Sequence, residues 1–243
     1  MTGSKYPVLN QILRATCDGR YISGQEIADS LRLTRSAVNK AVAALREEGY
    51  VIDAVKHKGY RIENDPDLIN PGELLTFLDE DRVEKIAIYD SVVSTNVILH
   101  ELAENGAETG QVAVASSQTS GRGRNGSRFD SPDNKSIYMS YLLRPSDDTD
   151  IKGITPSVAR VVADVINTET GAKVIADESG DVKLKGKKIC GVLTEILSEA
   201  ESGYIRYIMI GVGIRPVNVK RAALLAGVIK GIDDIGTIKI KDL

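Results

Sequence analysis

The stretch from residue 22 to 62, ISGQEIADSLRLTRSAVNKAVAALREEGYVIDAVKHKGYRI, constrains the fold of this chain more than any other. Ser23 with Glu26 three positions on is a capping box, so a helix starts there and buries Ile27, Ala28 and Leu31. Thr34 caps the next helix, which runs to about Glu48 with Ala37, Val38, Ala41, Val42 and Leu45 as its apolar stripe; Gly49 closes it. Upstream, Val8, Leu9, Ile12 and Leu13 recur at helical spacing until Asp18-Gly19. Beyond Gly49, apolar residues alternate on both sides of His57-Lys58-Gly59, the pattern of a two-stranded hairpin. The expectation is three helices and a wing over residues 1–62, with a tight turn at Leu31–Leu33 between the second and third helices.

That arrangement is a winged helix-turn-helix. Arg35, Ser36, Asn39 and Lys40 fall off the apolar stripe of the third helix and carry the groups that read base edges and phosphates. Lys56, His57 and Lys58 form the wing tip, where cations gain affinity for a polyanion by counterion release. Residues 1–62 hold ten Lys/Arg against six Asp/Glu, whereas the remainder holds 21 against 28, within a chain of net charge -3. The basic module therefore reads as DNA-binding. The alternative is a small helical domain that binds protein or mediates dimerisation.

Residues 63–82, with Pro66 and Pro71 among turn formers, read as a linker, and residues 83–243 as a second domain. There the pattern alternates. KIAIYDSV, GQVAVASSQ and SIYMSYLLRP read as strands, and STNVILHELAENG as a capped helix. TPSVARVVADVINTETG is a helix with Pro at its first turn, DVKLKGKKICGVLTEIL a hairpin, and GYIRYIMIGVGI a last long strand. This predicts an α+β fold with a mixed or antiparallel sheet and flanking helices rather than a doubly wound nucleotide-binding sheet. Hydrophobic content of 42% and charged content of 27% suit a soluble globular protein. No run approaches the roughly 18–20 apolar residues of a membrane span, and the polar start MTGSKYP is not a signal peptide, so a cytoplasmic location is expected. Cys17 and Cys190 have no metal-ligand spacing and read as small buried thiols.

The loop SQTSGRGRNGSRFDSP, Ser117 to Pro132, lies between two of those strands. Its glycines let main-chain N–H groups approach a ligand, and Arg122 and Arg124 offer forks for phosphate or carboxylate oxygens. Taken alone, it fits a phosphate cradle and an RNA-binding or inert solvated loop equally well.

In sequence order, the winged helix, STN, QTSGRGRNG…SP…IYMSYLLRP, GKKICGVLTE and IGVGI together resemble the biotin protein ligases that double as biotin operon repressors. The resemblance spans about residues 8–214. It implies a class II synthetase-like ligase domain that makes biotinyl-adenylate from biotin, ATP and Mg²⁺ and passes biotin to a lysine of a carboxylase carrier protein. It further implies a loaded homodimer that represses transcription. For the biotin pocket it implies Ser94, Thr95 and Gln118, the loop Gly121, Arg122, Gly123 and Arg124, the lysine Lys188, and the strand positions Gly191, Val192, Leu193, Gly211 and Gly213. Lys188 and Arg124 are the catalytic pair if ligase chemistry is retained. Without the resemblance, Lys188 reads as one surface lysine of the basic hairpin KLKGKK.

The departures fall on the nucleotide side. Relatives carry Lys-Trp-(Pro or Val)-Asn-Asp where this chain has Asp177, Glu178, Ser179, Gly180 and Asp181, which puts two extra acids toward a triphosphate; Asp181 is the metal ligand left if the chain is active. Arg215 stands for an asparagine, Phe129 for a tryptophan and Asn125 for an arginine. Only residues 216–243 follow, too few for the small C-terminal β-barrel of the family; GTIKIKDL reads as at most one strand. The favoured expectation is a biotin-responsive repressor with ligase chemistry weakened or lost, which dimerises on a palindromic operator and binds biotin or its adenylate. ATP, Mg²⁺ and a carrier protein enter only under the alternative of an active ligase. A sensor of another carboxylate such as lipoate is the further alternative.

Overall fold

The computed structural model describes residues 4–133, 135–146 and 149–237, which divide into two compact units at Val83/Glu84. In the first, α1 (Lys5–Cys17), α2 (Gly24–Ser30) and α3 (Arg35–Glu47) precede a hairpin of β1 (Val51–Val55) and β2 (Gly59–Asn64). The caps are made as the sequence implies: Ser23 Oγ accepts from the Glu26 N–H, and Thr34 Oγ1 from the Ala37 N–H. Arg32 takes a left-handed conformation (φ 53°) in the turn between the helices. Val8, Leu9, Ile12, Ile27, Val38 and Leu45 are buried in one core, with Ile52 and Ile62 of the hairpin.

The hairpin is tied to the helices by Ile22, whose N–H donates to the Tyr60 carbonyl (3.0 Å) while the Tyr60 N–H donates to that of Ile22 (2.8 Å). The expected linker over 63–82 holds two short helices, α4 (Pro71–Leu74) and α5 (Glu80–Glu84), and the stretch through Val83 belongs to the first unit. Asn70 caps α4, donates its amide to the Tyr50 hydroxyl (2.8 Å), and that hydroxyl donates to the buried Glu73 (2.9 Å). The Asn10 amide reaches the Gly72 carbonyl from α1. The prolines punctuate a packed strap, and polar partners distant in sequence hold it.

The second unit is a seven-stranded mixed sheet in the order β3-β4-β5-β9-β8-β7-β6. Its strands are β3 (Ile86–Val92), β4 (Val112–Gln118), β5 (Ile137–Leu143), β6 (Val174–Ala176), β7 (Asp181–Leu184), β8 (Lys187–Ser198) and β9 (Ile205–Ile214). Among the described strands only β3 and β4 run parallel, joined through α6 (Thr95–Glu104). Arg144 holds the end of α6 by donating to the Ala103 and Ala107 carbonyls, a cation on helix-terminal acceptors. On the sheet, α7 (Ile151–Thr170) packs on β8 and against α8 (Arg221–Thr237). Gly227 and Gly231 let α8 approach Val165 and Val161 of α7.

Three local expectations shift. The Pro156 helix begins a turn earlier, because Asp150 caps it by accepting from the Lys152 N–H, so Pro156 falls inside the helix. The short strand β6 and the helix α8 are additions to the expected elements. Of the tail GTIKIKDL, residues 238–243 lie outside the described residues, and 236–237 end α8.

Cys190 is fully buried on β8, and burial pushes its thiol well above the ordinary range. Cys17 is exposed, contrary to the expectation of two buried thiols, because the last turn of α1 carries it past the buried face that ends at Ala15. A thiol reagent under native conditions is expected to label one cysteine per chain, with Cys190 reacting only after denaturation. Rapid native labelling of both would contradict this packing.

Candidate functional site

Two surfaces carry the chemistry, one in each unit. In the first, Arg35, Ser36, Asn39 and Lys40 are all exposed along the first half of α3, and Lys56, His57 and Lys58 are exposed at the hairpin tip. The tip turns through His57 in a left-handed conformation (φ 67°). Behind it, Tyr21 carries Arg61 over its ring at 4.5 Å and Lys58 at 5.9 Å, stacking two cations on one aromatic ring. Asn39 is tethered: the Tyr60 hydroxyl of β2 donates to its Oδ1 at 2.7 Å. A tyrosine beside a wing glycine is the sequence signal for this link.

In the second unit, a cleft opens where the start of α6 meets β4, β5, β8 and β9. Of the expected pocket residues, Ser94, Thr95, Gln118, Arg122, Gly191, Leu193, Gly211 and Gly213 line it. Asn96, Phe129, Tyr138, Met139 and Val212 join them beyond that expectation. Gly121, Gly123 and Arg124 are not on its wall. Gly121 instead packs against the Phe129 carbonyl and Ser131. Val192 is also off the wall: strand alternation turns it to the opposite side, toward Gly180.

The polar wall is extensively hydrogen-bonded. Gln118 Oε1 accepts from the Thr95 backbone N–H (2.8 Å), and Gln118 Nε2 donates to Ser131 Oγ (2.9 Å). Thr95 Oγ1 lies 2.7 Å from Ser140 Oγ. Ser140 donates to Asn96 Oδ1, and Asn96 Nδ2 donates to Glu195. Asn96 is the third residue of STN, so its nearness to the pocket is readable from the motif; Ser140 and Glu195 fall within the strand motifs IYMSYLLRP and GKKICGVLTE, but nothing in those motifs pairs them with Asn96.

A second chamber adjoins the first and is lined by Lys188, Ile189, Cys190 and Arg215. Both chambers share Phe129, Gly191 and Gly213, and the Phe129 ring lies on Gly213 so closely that a Cβ there would be 2.5 Å from it. Lys188 Nζ is 2.8 Å from Asp181 Oδ1, and Arg124 binds the same oxygen as well as the Ser179 carbonyl.

None of the acids of DESGD lines either chamber. Asp177 accepts from Lys183, the Ser179 hydroxyl and the Asp181 N–H; these bonds, the lysine's first, hold its carboxyl far below the usual range. Glu178 is exposed and 3.8 Å from Arg160. Asp181, the remaining candidate for a metal, is clamped by two cations. Among the described residues, no three His, Cys, Asp or Glu side chains converge on one point. Asp181 would be the carboxylate to hold a magnesium ion together with ligand phosphates, and it would have to leave Arg124 and Lys188 to do so.

A winged helix-turn-helix unit and a mixed-sheet unit, whose cleft takes Arg122 and Phe129 from the glycine/arginine loop, define a two-module class of protein. A helix-turn-helix domain model matches residues 8–61, and the biotin/lipoate A/B protein ligase family model matches residues 89–214. The chain belongs to the biotin/lipoate A/B protein ligase family. It is 37% identical over 198 residues to the bifunctional ligase/repressor BirA of Bacillus spizizenii, covering 80% of this chain and 60% of that one. It is 27% identical over 205 residues to the protein of the same name from Escherichia coli, covering 84% and 62%. The chain thus spans about 60% of the length of the curated relatives it matches. Among solved structures it is similar to the biotin protein ligase from Aquifex aeolicus in complex with biotin and ATP, at 25% identity and a TM-score of 0.52 over 62% of this chain and 69% of that one.

Proposed function

We propose that this protein is a biotin-responsive transcriptional repressor in which adenylation chemistry is weakened or lost. The observation that carries the reading is the pairing of a winged helix-turn-helix with a cleft that keeps Ser94, Thr95, Gln118 and Arg122 on its wall and Lys188 next to it. A ureido ring offers two N–H donors and a carbonyl acceptor, which suits a wall of hydroxyl and amide groups. Lys188 then takes the ligand carboxylate, with Arg215 as a second cation in that chamber. The capture of Arg124 by Asp181 and the Ser179 carbonyl, and the pairing of Asp177 with Lys183, support a protein that holds the acid without assembling a metal-assisted nucleotide site. Ligand binding fixes the Gly121–Arg128 loop and favours a homodimer whose two helix-turn-helix modules read a palindromic operator in the cytoplasm.

Calorimetric titration with biotin, biotinyl-adenylate and ATP, together with pyrophosphate release from biotin plus ATP, tests this. Micromolar biotin binding without sustained pyrophosphate release is expected. Sustained release, or biotin transfer to a carrier protein, would make the chain an active ligase. Lipoate binding without biotin binding would identify a different carboxylate. On the DNA side, Arg35→Ala and Lys58→Ala are each expected to weaken operator binding by about 10-fold, and only Arg35→Ala to relax base preference. Binding curves on a matched and a scrambled duplex separate the two effects. Equal losses on both duplexes from both variants would remove α3 as the reading helix.

A further inference from the structure

We infer that Glu195, which lines neither chamber, sets the hydrogen-bond polarity of the cleft at Thr95, so that this wall selects a ligand presenting an N–H or O–H donor there. The inference rests on the reading of the cleft as the site of a biotin-like acid.

The order of donors follows from the number of hydrogens each group holds. The Asn96 amide nitrogen can only donate, and it donates to the Glu195 carboxylate on β8. The Asn96 oxygen must then face Ser140, and it accepts the only hydrogen that the Ser140 hydroxyl has. At the 2.7 Å contact between Thr95 Oγ1 and Ser140 Oγ, the serine has no hydrogen left, so Thr95 is the donor. The Gln118 oxygen, which accepts the Thr95 backbone N–H at 2.8 Å, has a second lone pair and lies 3.2 Å from Thr95 Oγ1; it too can only accept, so Thr95 is the donor at both contacts. The one hydroxyl hydrogen of Thr95 is thus committed to the interior, and its remaining lone pair is an acceptor for the cleft.

Thr95 and Ser140 are buried, at 3% and 0% exposure, so bulk water does not scramble the order. A ligand donor at this point completes the chain, whereas a ligand acceptor meets a lone pair and leaves both groups unsatisfied. Glu195 acts through three successive bonds and is a positioning residue. Without its carboxylate, the Asn96 amide is free to turn over, donate to Ser140, and reverse every hydroxyl down the line.

The test is calorimetric titration of the full chain with biotin and with two cyclic carbamate analogues, each having one ring N–H replaced by oxygen. Wild type is expected to bind one analogue about 10–100-fold more weakly than biotin. Glu195→Gln, whose amide oxygen still accepts from Asn96, should keep that ratio. Glu195→Leu should bring it down to about 3-fold or less while biotin binds roughly 10-fold more weakly. Ser140→Ala breaks the relay one link nearer the cleft and carries the same expectation, should the leucine variant fail to fold. A ratio unchanged in Glu195→Leu and Ser140→Ala, or lost equally in Glu195→Gln, overturns the inference while leaving biotin binding intact. Failure of wild type to bind biotin overturns the underlying reading instead, and the inference with it.

Discussion

Gly59→Ala is expected to destabilise the first unit by on the order of 4 kcal/mol, because no other described glycine has a backbone atom so close to its missing methyl. Gly59 has φ +111°, and a Cβ there would sit 2.0 Å from the Ile22 carbonyl oxygen and 2.7 Å from the Ser23 Cα. Both obstacles are backbone, so no rotamer change relieves them. The chain must break the paired hydrogen bonds between Ile22 and Tyr60, and with them the tie between hairpin and helices. Gly19→Ala is the control, because Gly19 also has a positive φ (+71°) but nothing within 4 Å of the place its methyl would take. It should cost only about 1–2 kcal/mol, the intrinsic penalty of a left-handed residue. Urea denaturation followed by circular dichroism distinguishes them; equal midpoints would mean that conformational strain, and not the clash with Ile22, limits position 59.

Lys188→Ala is expected to weaken biotin binding by about 30–100-fold, the equivalent of roughly 2–3 kcal/mol for a charge-assisted hydrogen bond. The fold should tolerate the change, because Asp181 keeps Arg124 as a partner and Lys188 is on the exposed end of β8. The decisive comparison is biotin against its methyl ester, which lacks the negative charge. Wild type should prefer the acid, and the alanine variant should bind acid and ester within a few-fold of each other. An undiminished preference for the acid in Lys188→Ala would move the carboxylate contact to Arg215 or Arg122.

The parts of this molecule that are legible in the sequence are those written in short-range patterns. Ser23 and Thr34 announce their helices because a cap and its target N–H are three residues apart. The wing follows from alternation around His57-Lys58-Gly59. Ser94, Thr95, Gln118 and the strand glycines belong to ordered motifs, and the cleft brings most of them together. What escapes depends on partners far along the chain. The strap at Pro71–Leu74 looks like a linker because its anchors, Tyr50 and Asn10, are 20 and 62 residues from their hydrogen-bond partners Asn70 and Gly72. Helix α8 is harder to read because Gly227 and Gly231, poor helix formers, interrupt the apolar periodicity of RAALLAGVIKGI; their value lies in seating it on α7. The acids of DESGD show in the sequence only as charge, whereas the structure gives Asp177 a definite partner in Lys183, two positions beyond Asp181. Charge in a sequence has a sign but no direction; the turn at Asp177–Asp181 supplies the direction.

The Phe129 ring rests on Gly213, and both residues line both chambers. The ring takes up room that a side chain at 213 would need, so the width of the passage from one chamber to the other is set by this one aromatic group lying on a strand without a side chain. A ligand long enough to occupy both chambers therefore meets Phe129 along its middle, whereas a fragment confined to one chamber meets only one edge of the ring.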